Sequence, residues 1–205
     1  EYYHETDPLD SASSPVPHYY VDAAATSGGD GSRATPFDTI QEGVDACTND
    51  FDIVEAASGI YQGAGNREID FGGRRILMVS REGAADTLID CESAARAFIF
   101  DSGEEKESAV SGFDIENGFT ADNGAGIYCS GSSATILHCT LAHHQATGMG
   151  GGIYNTNGTL RIIDSDIREN SAASGAGVYT YNGDTFLINT LIEENESSVK
   201  GAGIY

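Results

Sequence analysis

Bases are scarce in this sequence. Ten Lys and Arg, of which only Lys106 and Lys200 are lysines, face 32 Asp and Glu, for a formal net charge of −22 over 205 residues. A surface of that sign repels phosphate backbones and anionic lipid, which argues against nucleic acid and membrane surfaces as partners. Long apolar runs are also missing. None approaches the roughly 18 residues that a membrane-spanning helix needs. No basic segment followed by an apolar one opens the chain, so any secretion signal is expected to have been removed already. No Cys-x-x-Cys pair gives a zinc spacing. No Ser–His–Asp arrangement is legible, and no glycine loop carries the Lys-Ser/Thr ending that cradles phosphate. The acid excess itself fits three settings: high salt, divalent-cation binding, or a soluble extracellular surface.

Cysteine is present four times, as Cys47, Cys91, Cys129 and Cys139. Three pairings are possible. An even count in a secreted chain favours disulfides, and Cys47–Cys91 with Cys129–Cys139 joins the pairs closest in sequence. Buried free thiols are the alternative.

Composition divides the chain into three regions. Residues 1–18 are polar and acidic and hold three of the four prolines, as an extended arm or linker does. Residues 19–50 carry a short strand, the turn-rich stretch SGGDGSRATP, and then FDTIQEGVDAC, where Phe37, Ile40, Val44 and Cys47 recur at helical spacing. That predicts one short amphipathic helix, placed to plug the first coil of an array. From residue 51 to 205 the chain reads as short alternating strands closed by Gly, Asp, Asn or Ser, with no second helical pattern. Parallel strands without helical crossovers mean a chain that winds as a coil.

A repeat fixes the period. Gly124-Ala125-Gly126-Ile127-Tyr128 recurs as Gly150 to Tyr154, Gly175 to Tyr179 and Gly201 to Tyr205, its tyrosines 26, 25 and 26 residues apart. A second element travels with it: ILHCTLAHHQA, IIDSDIRENSA and LINTLIEENES align Leu141, Ile167 and Ile192, and also His144, Asn170 and Asn195. VSGFDIENG is an earlier copy, with Ile115 and Asn117. Such periods mean stacked supersecondary units. The predicted fold is an all-β, right-handed parallel β-helix of about six coils with an N-terminal capping α-helix. Ile127, Ile153, Val178 and Ile204 should form one inward column and Leu141, Ile167 and Ile192 another. Asn170 and Asn195, with His144, fit a polar corner of stacked amides.

The GGGIY and RENSA pairs resemble the repeats of the pectin-lyase-like superfamily and are similar to polymorphic outer-membrane-type surface proteins. YYVDAAATSGGDGSRATPFDTIQEGVDAC followed by DIVEAASGIYQG is similar to the capped start of that group. The resemblance spans about residues 19–205. It implies the β-helix fold and an extracellular or cell-surface protein. It leaves open a non-catalytic scaffold or adhesin, a Ca²⁺-dependent polysaccharide lyase or glycoside hydrolase, and a carbohydrate-binding module.

The candidate residues divide along the same lines. For a lyase, Asp164 and Asp166 are the acids that would hold calcium against a uronate, with Arg161 or Arg168 as the base; a solvated acidic face is the plainer reading. Glu169 and Glu194 should stack, which a bound cation would relieve. Tyr128, Tyr154, Tyr179 and Tyr205 form a column that either stacks on sugar rings or packs. A scaffold needs no cofactor, and calcium belongs to the enzymatic reading. The sequence stops inside a motif at Tyr205, from which an uncapped C-terminal coil is expected, covered by another copy stacked head to tail into a filament, with the N-terminal arm as a second contact.

Overall fold

The computed structural model describes residues 18–205, so the arm expected at 1–18 lies outside the described residues except for His18. The described chain is a parallel β-solenoid of about six turns. A first face of seven strands runs from His18–Val21 to Asp184–Ile188. A second face of six runs from Gly59–Tyr61 to Leu191–Glu193. A tyrosine face of five runs from Ile69–Asp70 to Val178–Tyr181. A short face of four, from Phe119–Thr120 to Glu196–Lys200, is inserted between the second and the tyrosine faces in the later coils. Every pairing is parallel, and no helix among the described residues is long and apolar enough to cross a membrane.

The register is the one the repeat predicts. Ile127, Ile153 and Val178 pair in sequence, and a bridge continues from Val178 to Ile204. Ile115, Leu141, Ile167 and Ile192 pair likewise on the second face. The inward members from Ile115 to Val178 are fully buried, each removing an aliphatic side chain worth roughly 1.5–3 kcal/mol from water. The two uses of glycine separate cleanly. Gly150 sits at φ 65, where the chain turns, whereas a Cβ on Gly152 would lie 2.7 Å from the Gly177 carbonyl oxygen of the next coil.

Helix α1 spans Ile40–Ala46, shorter than the pattern predicted. Thr39 caps it, its hydroxyl accepting from the Glu42 N–H at 3.4 Å, and Asn66 Oδ1 accepts from the Ile40 N–H at 2.8 Å. Its buried side lies on the first face. A Cβ on Gly43 would meet Val21 and Val54 at 2.7 and 2.8 Å, so glycine sets the distance of approach.

The polar corner is a hydrogen-bonded ladder. Asn195 Oδ1 accepts from the Asn170 N–H at 3.0 Å, and Asn170 Oδ1 accepts from the His144 N–H at 2.9 Å. Each amide nitrogen donates to a carbonyl one coil back, Asn170 to Leu141 and Asn195 to Ile167. His144 takes the next rung, where its Nδ1 accepts from the Gly118 N–H at 2.9 Å. Asn117 is not a rung: it shares left-handed backbone with His143, Glu169 and Glu194, at φ 58, 58, 56 and 53. Its spacing from Ile115 is one residue too short to reach the lumen.

Disulfides are a second correction. All four cysteines are buried free thiols. They lie at different places along the coils, and three donate locally: Cys47 Sγ to Gly43 O at 3.4 Å, Cys129 to Ser132 O at 3.2 Å, and Cys139 to Leu137 O at 3.3 Å. Burial pushes the Cys47, Cys91 and Cys129 thiols up to about 12 and Cys139 to about 11, so none is a ready thiolate.

Candidate functional site

Outward columns of the second face gather most of the chemistry. Asp114, Thr140, Asp166 and Leu191 form one column, and Glu116, Ala142, Arg168 and Glu193 the next. The left-handed corner beyond them adds His143, Glu169 and Glu194. Arg168 Nη1 donates to Glu169 Oε1 at 2.8 Å, and His143 Nδ1 lies 3.3 Å from Glu169 Oε2. Glu169 and Glu194 stand one above the other as expected, and it is Arg168 that offsets Glu169.

Asp164 and Asp166 do not share a strand. Asp164 occupies a left-handed corner at φ 49, beside His138 and Asn189 at φ 53 and 48 in the neighbouring coils, and Asp166 opens the next strand. Both are exposed and line an open depression of about 480 Å³ with Asn189, Thr190 and Leu191. Asn189 Nδ2 donates to Asp164 Oδ1 at 2.6 Å, and His138 Nδ1 lies 3.9 Å from Asp164 Oδ2. A donor nitrogen takes one Asp164 oxygen, and among the described residues no three acidic, Cys or His groups converge on one point. Arg161 stands on the first face, 5.9 Å over the Phe186 ring, and Arg168 on the second, so the two candidate bases are split.

Sequence reading missed Asp114. Its Oδ1 is out of solvent with no hydrogen-bond partner among the described residues. Burial, then the charge of Glu116, pushes its carboxyl up to about 6. Asp90, one coil earlier, goes the other way. Burial acts to raise it, but donors from Asn117 at 3.0 Å, Glu92 N–H at 2.9 Å and Gln62 at 2.7 Å outweigh that and hold it below the usual carboxylate range. The signal was available in the alternation Asp114-Ile115-Glu116, which points both acids outward around an inward isoleucine.

The tyrosines face outward and stack on one another. Successive ring centroids from Tyr128 to Tyr205 are 5.5, 5.5 and 5.4 Å apart with interplanar angles of 10°, 7° and 16°. Arg96 lies 5.2 Å over Tyr128, and Lys200 5.7 Å from the Tyr205 ring centre. The faces of Tyr154 and Tyr179 are therefore covered by neighbours, and a sugar ring would meet their edges.

No protein-family model and no curated protein matches this chain. Among solved structures it is similar to a rhamnogalacturonan lyase, at 12% identity and a TM-score of 0.42, over 92% of this chain and 62% of that one. The chain thus spans less than two thirds of that lyase.

Proposed function

We propose that this chain is a non-catalytic scaffold outside the cell: a right-handed β-helix, closed at one end by α1, whose repeat sets its length and presents its faces to other copies or to polysaccharide, as an adhesin or filament does. One observation carries the reading. The recurring tyrosines and asparagines are spent on the coil above or below: tyrosine on tyrosine at about 5.5 Å, asparagine on asparagine at about 3 Å. A catalytic site needs a position where the repeat is broken and unlike groups converge. The purified chain, incubated with polygalacturonate and alginate with calcium or with chelator, should give neither unsaturated products nor new reducing ends. A calcium-dependent product would overturn the scaffold.

A second reading, a glycoside hydrolase or lyase, is favoured by Asp114 alone. A carboxyl raised to about 6, one coil after a depressed Asp90 that is in register with Glu116, is the kind of split that acid–base chemistry uses. Asp114→Asn would abolish such an activity while leaving the fold intact.

A further inference from the structure

Three of the five histidines of the chain, His138, His143 and His144, fall within seven residues of one coil. Their placement differs. His138 and His143 are exposed on the outside and face the following coil, at 3.9 Å from Asp164 and 3.3 Å from Glu169. His144 is 1% exposed in the lumen and faces the preceding coil, its Nδ1 accepting the Gly118 N–H. That bond requires an unprotonated Nδ1. The other nitrogen, Nε2, is buried without a partner among the described residues. No side chain gives way there: a Cβ on Gly118 would lie 2.6 Å from His144 Nδ1, and one on Gly126 would lie 3.0 Å from Nε2.

We propose that this coil is an acid-opened joint: protonation of His144 releases it from the preceding coil, while its contacts to the following coil, through the Asn170 amide, stay in place. A protonated ring presents N–H to the Gly118 N–H, donor against donor, and places an unpaired cation in an apolar lumen. The charged neighbours divide by element. Around His144 the packed groups are the Asn170 amide of the next coil and the backbone of Gly118 and Gly126; the titratable group that acts on it is His143, its neighbour in the same corner. Around His143 stand Glu169 and, on neighbouring strands, Asp114 and Arg168. His138 faces Asp164, which Asn189 also holds. Burial, foremost, drives the His144 imidazole down to about 3 in the closed state, so at moderate acidity the joint yields by opening and then protonating.

Amide hydrogen exchange on the whole chain separates the two sides. Between pH 6 and pH 4, after correction for intrinsic exchange, protection at the Gly118 N–H should fall about tenfold per pH unit. Protection at the Asn170 N–H, which donates to Asn195, should hold. His144→Asn, which supplies the acceptor oxygen of the other rungs, should make the Gly118 profile flat. Equal loss at Gly118 and Asn170, no loss at Gly118 down to pH 4, or an unchanged profile in His144→Asn would each overturn the joint. Should that variant not fold, the contrast between Gly118 and Asn170 in the unaltered chain decides by itself.

Discussion

Asn170 shows how much one side chain holds. It accepts from the His144 N–H, donates to Leu141 O and to Asn195 Oδ1, and is 1% exposed. Asn170→Ala strands a buried N–H and a buried carbonyl, a loss of roughly 2–4 kcal/mol readable by chemical denaturation. Asn170→Asp keeps the acceptors, but it loses the donors and brings a charge into the lumen, so it should be no better. Asp114 makes the opposite case, since its ionised form is penalised by folding. Its folded pKa lies above the unfolded value of about 3.9, so its contribution is favourable below that value and is lost as pH rises toward 6. Asp114→Asn should therefore stabilise at pH 7.5, by about 1 kcal/mol once its partial exposure is allowed for. The gain should vanish below pH 4, and a pair of melting curves at the two pH values checks both halves.

At the scale of the element, the corner is the unit that sequence reading resolved least. Strand columns were legible because inward residues are aliphatic and alternate, a signal that survives substitution of Ile by Val or Leu. The ladder was legible where Asn recurs, and misplaced by one residue at Asn117, where glycine holds the rung and leaves no side chain to align. The left-handed corners were invisible because the column holds unlike residues: His138, Asp164 and Asn189 share one backbone geometry and no composition rule beyond a tolerance of positive φ. The same lack of chemical signature hid the separate locations of the four cysteines. A third corner gives a test. Gly131, at φ 65, occupies the turn that Asn157 and Asn182 occupy at φ 55 and 52, and nothing lies within 4 Å of its Cβ position. Gly131→Asn should be neutral or stabilise by up to about 1 kcal/mol, through the unfolded chain. Gly152→Ala, driven into the Gly177 carbonyl, should cost more than about 2 kcal/mol. Equal effects of the two in parallel denaturation curves would mean that conformational freedom, and not coil spacing, selects these glycines.

The whole molecule adds a term that no single coil contains. Coil stabilities sum with nearest-neighbour contacts in a solenoid, but charge acts across several coils at once. The chain carries −22, and on the second face Asp90 and Glu116 pair in register, like charges at strand spacing, about 4.8 Å. The arginines do not dissolve this repulsion, because each is engaged locally: Arg67 with Glu92 at 2.7 Å, Arg81 with Glu55 at 2.5 Å, Arg168 with Glu169 at 2.8 Å. What remains is long-ranged and open to screening. Raising ionic strength from about 0.1 M to 1 M shortens the Debye length from about 10 Å to about 3 Å, less than the spacing between coils. Ordinary salt bridges would weaken under that change, so a fold held by them would melt earlier. Here the net repulsion is the larger quantity, and the melting temperature should rise with sodium chloride over this range by several degrees, without a divalent ion. A melting temperature that falls, or that rises only with calcium, would instead mean that the acids are paired or that they bind a cation specifically.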